Sequence, residues 1–188
     1  MVKSRCTMLL RICPLLVIAM LLLLLGGCGP RPRVEVKPDF KPPAELETVY
    51  VIPFSSTLVP ADLQETVFNE LVDVLNEKRD QAGIHLFEII KGDLGDVDKE
   101  WLAKQTYLSG ELWSYVENSG CCQTELRIRS RISLTEPGKT APTFEVFLPL
   151  DGFFDHDQST LEKEKLKLAR RLARELASKV ITALANRK

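Results

Sequence analysis

From Glu125 to Leu134 apolar and charged residues alternate, with Leu126, Ile128, Ile132 and Leu134 on one side and Arg127, Arg129 and Arg131 on the other. Successive side chains of a β-strand point to opposite faces, so this stretch calls for a sheet with one face against a core and one against solvent or a partner. Tyr107 to Val116 reads as a second long strand, with Leu108, Gly110, Leu112 and Val116 on one face and Tyr107, Glu111, Trp113 and Tyr115 on the other. The turn "EPGK" at 136–139 leads to a further strand around Phe144 to Leu148, which makes an antiparallel meander.

The elements around this meander are shorter. "TVYVIPF" (48–54) is a β-branched and aromatic run that ends at a proline, as a strand leaving a sheet does. After Pro60, Leu63, Val67, Phe68, Leu71, Val74 and Leu75 recur at spacings of three and four, the mark of a helix with one buried face. "IHLFEII" (84–90) is a second short strand, followed by an acidic Gly/Asp loop and a short helix from about Val97 to Lys104. From about Ser159 to Ala185, Leu161, Leu168, Leu172, Leu176, Val180 and Leu184 lie at near-heptad spacing on a long helix that packs across the sheet. The expected class is α/β: a mixed, partly antiparallel sheet of four to five strands, in the order β-α-β-(α)-β-β-β-α, packed against two main helices.

The amino terminus carries Lys3, Arg5 and Arg11 and no acidic residue, then an apolar run from Pro14 to Leu25. That run suits the apolar region of a signal peptide better than the roughly 20 residues of a spanning helix. It ends in Leu25-Gly26-Gly27-Cys28, which resembles a bacterial lipobox, in which the cysteine is acylated and becomes the first residue of the mature chain. The reading divides the chain into a signal peptide (1–27), a lipidated cysteine with a proline-rich tether (28–45), and a single periplasmic domain (46–188). The three acyl chains that the resemblance implies make attachment effectively permanent, since each buried methylene contributes about 0.8 kcal/mol. Gly29 stands where the sorting pattern places an aspartate for inner-membrane retention, so the expected location is the periplasmic face of the outer membrane. The mature chain carries 22 lysines and arginines against 26 acidic residues, which argues against nucleic acid as a partner.

Few residues of the sequence point to chemistry. His85 reads as a strand residue, and His156 in "DGFFDHDQ" as part of a solvated loop without a calcium-loop pattern. Cys121 and Cys122 have no further cysteine or histidine ligands at metal spacing and read as two thiols, with a strained vicinal bridge or an intermolecular bond as the alternatives. No phosphate loop, nucleophile elbow or zinc-protease helix is present. We expect no enzyme activity, no catalytic residue, no metal and no cofactor.

"VYVIPF", "YLSGELWSY" and the closing "ASKVITALA" resemble stretches of a group of periplasmic lipoprotein domains: those related to the amino-terminal domain of TolB, the curli-secretion lipoprotein, and the lipoprotein activator of penicillin-binding proteins. Auxiliary lipoproteins of ABC-type transporters have a similar layout. The resemblance implies a non-enzymatic accessory or assembly factor that docks an envelope protein, with service to a lipid or lipopolysaccharide transporter as the alternative. It implies no catalytic residues, and oligomers are compatible with it.

The candidate partner surface is the polar face of the two long strands. If they pair, Trp113 and Tyr115 lie beside Arg127, Arg129 and Arg131, flanked by Glu111 and Glu117. Arginine, tryptophan and tyrosine are enriched at protein interfaces. The same residues also suit an intramolecular ladder of cross-strand pairs, and register is not legible from sequence.

Overall fold

The computed structural model describes residues 31–44, 47–91 and 97–186. Cys28 and the expected signal peptide lie outside the described residues. Among the described residues seven strands form one sheet: β1 Arg33–Val36, β2 Thr48–Val51, β3 Ser55–Ser56, β4 Leu86–Ile89, β5 Tyr107–Ser119, β6 Gln123–Thr135 and β7 Phe144–Asp155. The helices among the described residues are α1 Ala61–Glu77, α2 Arg79–Ala82, α3 Lys99–Leu102 and α4 Leu161–Ala185. The sheet order is β1-β7-β6-β5-β2-β4, with β3 also pairing with β5. The strands β5, β6 and β7 form the antiparallel meander, and β2, α1 and β4 form a parallel crossover beside it. The α/β class stands, with more strands than expected.

The two helices share one face. From α1, Leu63, Val67, Leu71, Val74 and Leu75 are buried; from α4, Leu168, Leu172, Leu176, Val180 and Leu184 are buried, with Ala169, Ala173 and Ala177 between them. The small alanines let α4 lie close to the sheet, against Leu126, Ile128, Ile132 and Leu134 of β6 and Phe144, Val146 and Leu148 of β7. Each fully buried leucine or valine contributes about 1.5–3 kcal/mol. Glu70 of α1 ties the helices together on their outer side through Arg174, at 2.8 Å.

Three expectations change. The segment expected as an extended tether supplies β1, whose Arg33–Val36 pairs antiparallel with Phe147–Phe144, and Phe40 packs its ring on Phe144 at 6.0 Å between centroids. Prolines hid this strand, although Val34 and Val36 alternate with Arg33 and Glu35; an edge strand tolerates prolines at positions that owe it no hydrogen bond. Second, β7 runs on through "DGFFD", so the acidic loop near His156 begins only after Asp155. Third, the register of β5 against β6 shifts between Leu112, opposite Ser130, and Ser114, opposite Arg129. Trp113 is the extra residue of a β-bulge, and every side chain after it changes face.

Candidate functional site: the open face of the sheet

On the face away from α1 and α4 the sheet carries a row of charge pairs. In β6, Arg127 donates from Nε and Nη2 to both oxygens of Glu125, each at 2.7 Å. Arg129 reaches across to Asp151 of β7 at 2.7 Å, and Arg131 reaches the other way to Glu111 of β5 at 2.7 Å, with Glu145 of β7 at 4.0 Å. The pleat explains the arrangement: residues 127, 129 and 131 stand opposite residues 151, 149 and 147 of β7. Each arginine of the row therefore has a carboxylate within reach, and Glu125 holds the Arg127 guanidinium firmly charged.

Aromatic groups thread this row. Phe147 of β7 takes the Arg131 guanidinium over its ring at 5.8 Å and the edge of Trp113 at 6.5 Å. Trp113 is 36% exposed, Val116 44% and Phe153 71%, so the face is partly apolar as well as charged. Beside Arg131 it sinks into a hollow of about 350 Å³ lined by Pro53, Ser55, Glu111, Pro142 and Glu145, among others. At the far corner α3 lies over the sheet through Trp101, whose ring meets that of Tyr50 edge-on at 4.9 Å.

The structure thus brings Trp113, Arg127, Arg129 and Arg131 onto one surface and separates Tyr115 from them. The bulge turns Tyr115 and Glu117 to the helix face, where the Tyr115 hydroxyl donates to Glu117 at 3.3 Å and Lys165 of α4 approaches the same carboxylate at 3.9 Å. Burial first, and the Glu117 charge second, hold the Tyr115 hydroxyl well above the ordinary tyrosine pKa. Val116 moves to the open face in exchange. Sequence reading missed the contribution of β7, namely Glu145, Phe147, Asp151 and Phe153; the first two lie on the polar side of the stretch read from Phe144 to Leu148, and continuing the alternation past Leu148 finds the other two.

No family model matches this sequence. No curated protein matches it. Solved structures do: the PelC dodecamer from Paraburkholderia phytofirmans at 14% identity, with 78% of this chain and 96% of that one covered and a TM-score of 0.51, and a point variant of that dodecamer at 17% identity, 78% and 98% coverage and a TM-score of 0.50. Lipoprotein GNA1162 from Neisseria meningitidis is also among them, at 12% identity, 74% and 99% coverage and a TM-score of 0.43. At these identities the PelC likeness establishes the fold alone. Bacterial lipoproteins thus stand among the structural neighbours, while membership of the TolB and curli group remains a resemblance.

The remaining sequence candidates lie apart from the open face. His85 is exposed and precedes β4. His156 follows β7, where its backbone N–H donates to the Cys122 carbonyl at 3.0 Å and its Nε2 lies 2.8 Å from the Thr124 hydroxyl. Cys121 and Cys122 are both exposed at the β5–β6 turn, with their sulfurs 3.4 Å apart. Among the described residues no group of three or more His, Cys, Asp or Glu side chains is arranged to hold a metal ion.

Proposed function

We propose that this chain is a lipoprotein, anchored through acylated Cys28 to the periplasmic face of a bacterial outer membrane, and that it serves as a non-enzymatic accessory factor by docking an envelope protein. The observation that carries this reading is the one-sided sheet: α1 and α4 cover one face, and the other presents Trp113, Phe147 and a row of arginines to solvent. Aromatic and arginine groups in a rigid strand framework are the usual anchors of protein interfaces. The partner-binding residues are Trp113, Arg127, Arg129 and Arg131; Tyr115, turned to the helix face, is not among them. Assembly with further copies of this chain belongs to the same reading, because the PelC chains that share the fold form a dodecamer.

A second reading, service to a lipid transport system, is favoured by one feature. An apolar hollow of about 670 Å³ lies between the end of α4 and the chain after β1, lined by Val36, Pro38, Phe40, Pro42 and Ala183 with Lys37 and Lys41 beside them. Lipid found by mass spectrometry in the purified domain favours this second reading.

The test of the first is crosslinking in intact cells followed by mass spectrometry, with the native chain compared with one carrying Arg129→Glu and Trp113→Ala. Loss of one crosslinked protein, with fold and membrane attachment intact, supports docking on the open face. An unchanged set of crosslinks removes that face from the interface.

A further inference from the structure

The pairing of β1 sets how the domain stands on its membrane, given the lipid anchor proposed at Cys28, on which this inference rests. Arg33, the first residue of β1, comes five positions after Cys28. At full extension that lead spans about 18 Å. Arg33 stands opposite Phe147, only partway along β7, and the last paired residue, Asp155, lies about 26 Å further on at the usual strand rise. The β5–β6 turn with Cys121 and Cys122 is beyond that. An upright domain with this turn toward the bilayer would need a longer lead than the chain provides.

The side of the sheet where the chain emerges has the composition that a lipid surface takes. Val34 is 44% exposed, Val36 52% and Phe153 71%, all on β1 or β7. Two hollows open on the same edge. One sets Phe153 and Leu168 beside Lys167 and Arg171, which are paired with Glu164 and Glu175; the other sets Val36 and Phe40 beside Lys37 and Lys41, and it is this second hollow that joins apolar groups to cations suited to lipid phosphates. From Leu148 to Asp155 the outer edge of β7 has no strand partner among the described residues. Pro149 brings no N–H to that edge and Asp151 adds a charge, two features that discourage addition of a strand from a second copy.

We propose that the β1–β7 edge lies against the lipid headgroups, so that the domain rests side-on with its strands along the bilayer and its open face accessible from the periplasm. The test uses the acylated chain purified from membranes and reconstituted into phosphatidylethanolamine and phosphatidylglycerol vesicles containing a lipid with a nitroxide on its headgroup. In a Cys121→Ser, Cys122→Ser background a fluorophore is attached at Val34→Cys on β1 or at Glu88→Cys on β4, the opposite edge strand, both exposed. The expected result is loss of fluorescence at 34 and none at 88. Vesicle flotation with equal signals at both positions overturns the orientation and leaves the anchor standing. Failure of the chain to float overturns the anchor and this proposal together.

Discussion

The ring of Phe54 lies directly on the backbone of Gly110. A Cβ built at 110 would come closer than 3.0 Å to three atoms of that ring, which is itself 4% exposed and held from its other side by Phe68 at 5.7 Å. The contact joins the end of "VYVIPF" to the glycine of "YLSGELWSY", and it is a packing requirement in both. Gly110→Ala is therefore expected to destabilise the domain by about 1–3 kcal/mol, the usual cost of overfilling a packed core. Urea unfolding measures it. Phe54→Leu in the same chain should restore part of the loss, and a Gly110→Ala chain with the parent midpoint would show that the ring has room to move.

Asn76 of α1 closes an edge of the sheet. Its Oδ1 accepts from the Phe87 N–H at 3.0 Å, and its Nδ2 donates to the Phe87 carbonyl at 3.0 Å. Phe87 belongs to β4, whose outer side has no neighbouring strand in the sheet order, so the asparagine stands in for one. Asn76→Ala leaves two backbone groups beneath the helix without these partners, at an expected cost of about 1–3 kcal/mol. Faster amide exchange at Phe87, measured by NMR, should accompany the loss. Unchanged exchange would mean that water replaces the side chain without penalty.

Tyr115 predicts a pH dependence. Burial and Glu117 raise its pKa above the ordinary value of 10.0, so the folded state holds the phenolic proton more tightly than the unfolded chain does. The contribution to stability is complete below about pH 10 and drains away as the pH climbs through the region above it. Tyr115→Phe has no proton to lose and should show a shallower fall above about pH 10 in urea unfolding experiments. Equal slopes in the two proteins would place Tyr115 in a more solvated setting.

Much of this arrangement is legible in the sequence. The Leu/Ile and Arg alternation of β6 and the heptad leucines of α4 each repeat long enough for periodicity to fix which side is buried. Three things are not legible, each for a physical reason. A period-two pattern assumes an unbroken ladder, and the bulge at Trp113 breaks it with no glycine or proline to mark the place, so Tyr115 and Val116 exchange faces. The strand β1 consists of four residues among prolines, and only pairing with β7 orders it. The carboxylates that meet Arg129 and Arg131 come from the neighbouring strands β7 and β5, and a register must be known before they can be assigned.

The charge row permits a separation of stability from recognition. Arg129 and Asp151 meet at 2.7 Å, with side chains 24% and 34% exposed, and such half-open pairs couple by about 1 kcal/mol or less. A double-mutant cycle with Arg129→Ala and Asp151→Ala should return a coupling of that size, smaller at high salt because screening weakens it. The exchanged chain, Arg129→Asp with Asp151→Arg, keeps opposite charges facing across β6 and β7 and should unfold within about 1 kcal/mol of the parent. It nevertheless inverts the pattern that a docked protein would meet. Retained stability with loss of the crosslinked partner assigns these residues to recognition, whereas retained stability with an unchanged partner makes the row a cross-strand ladder and moves the search for the interface elsewhere on the domain.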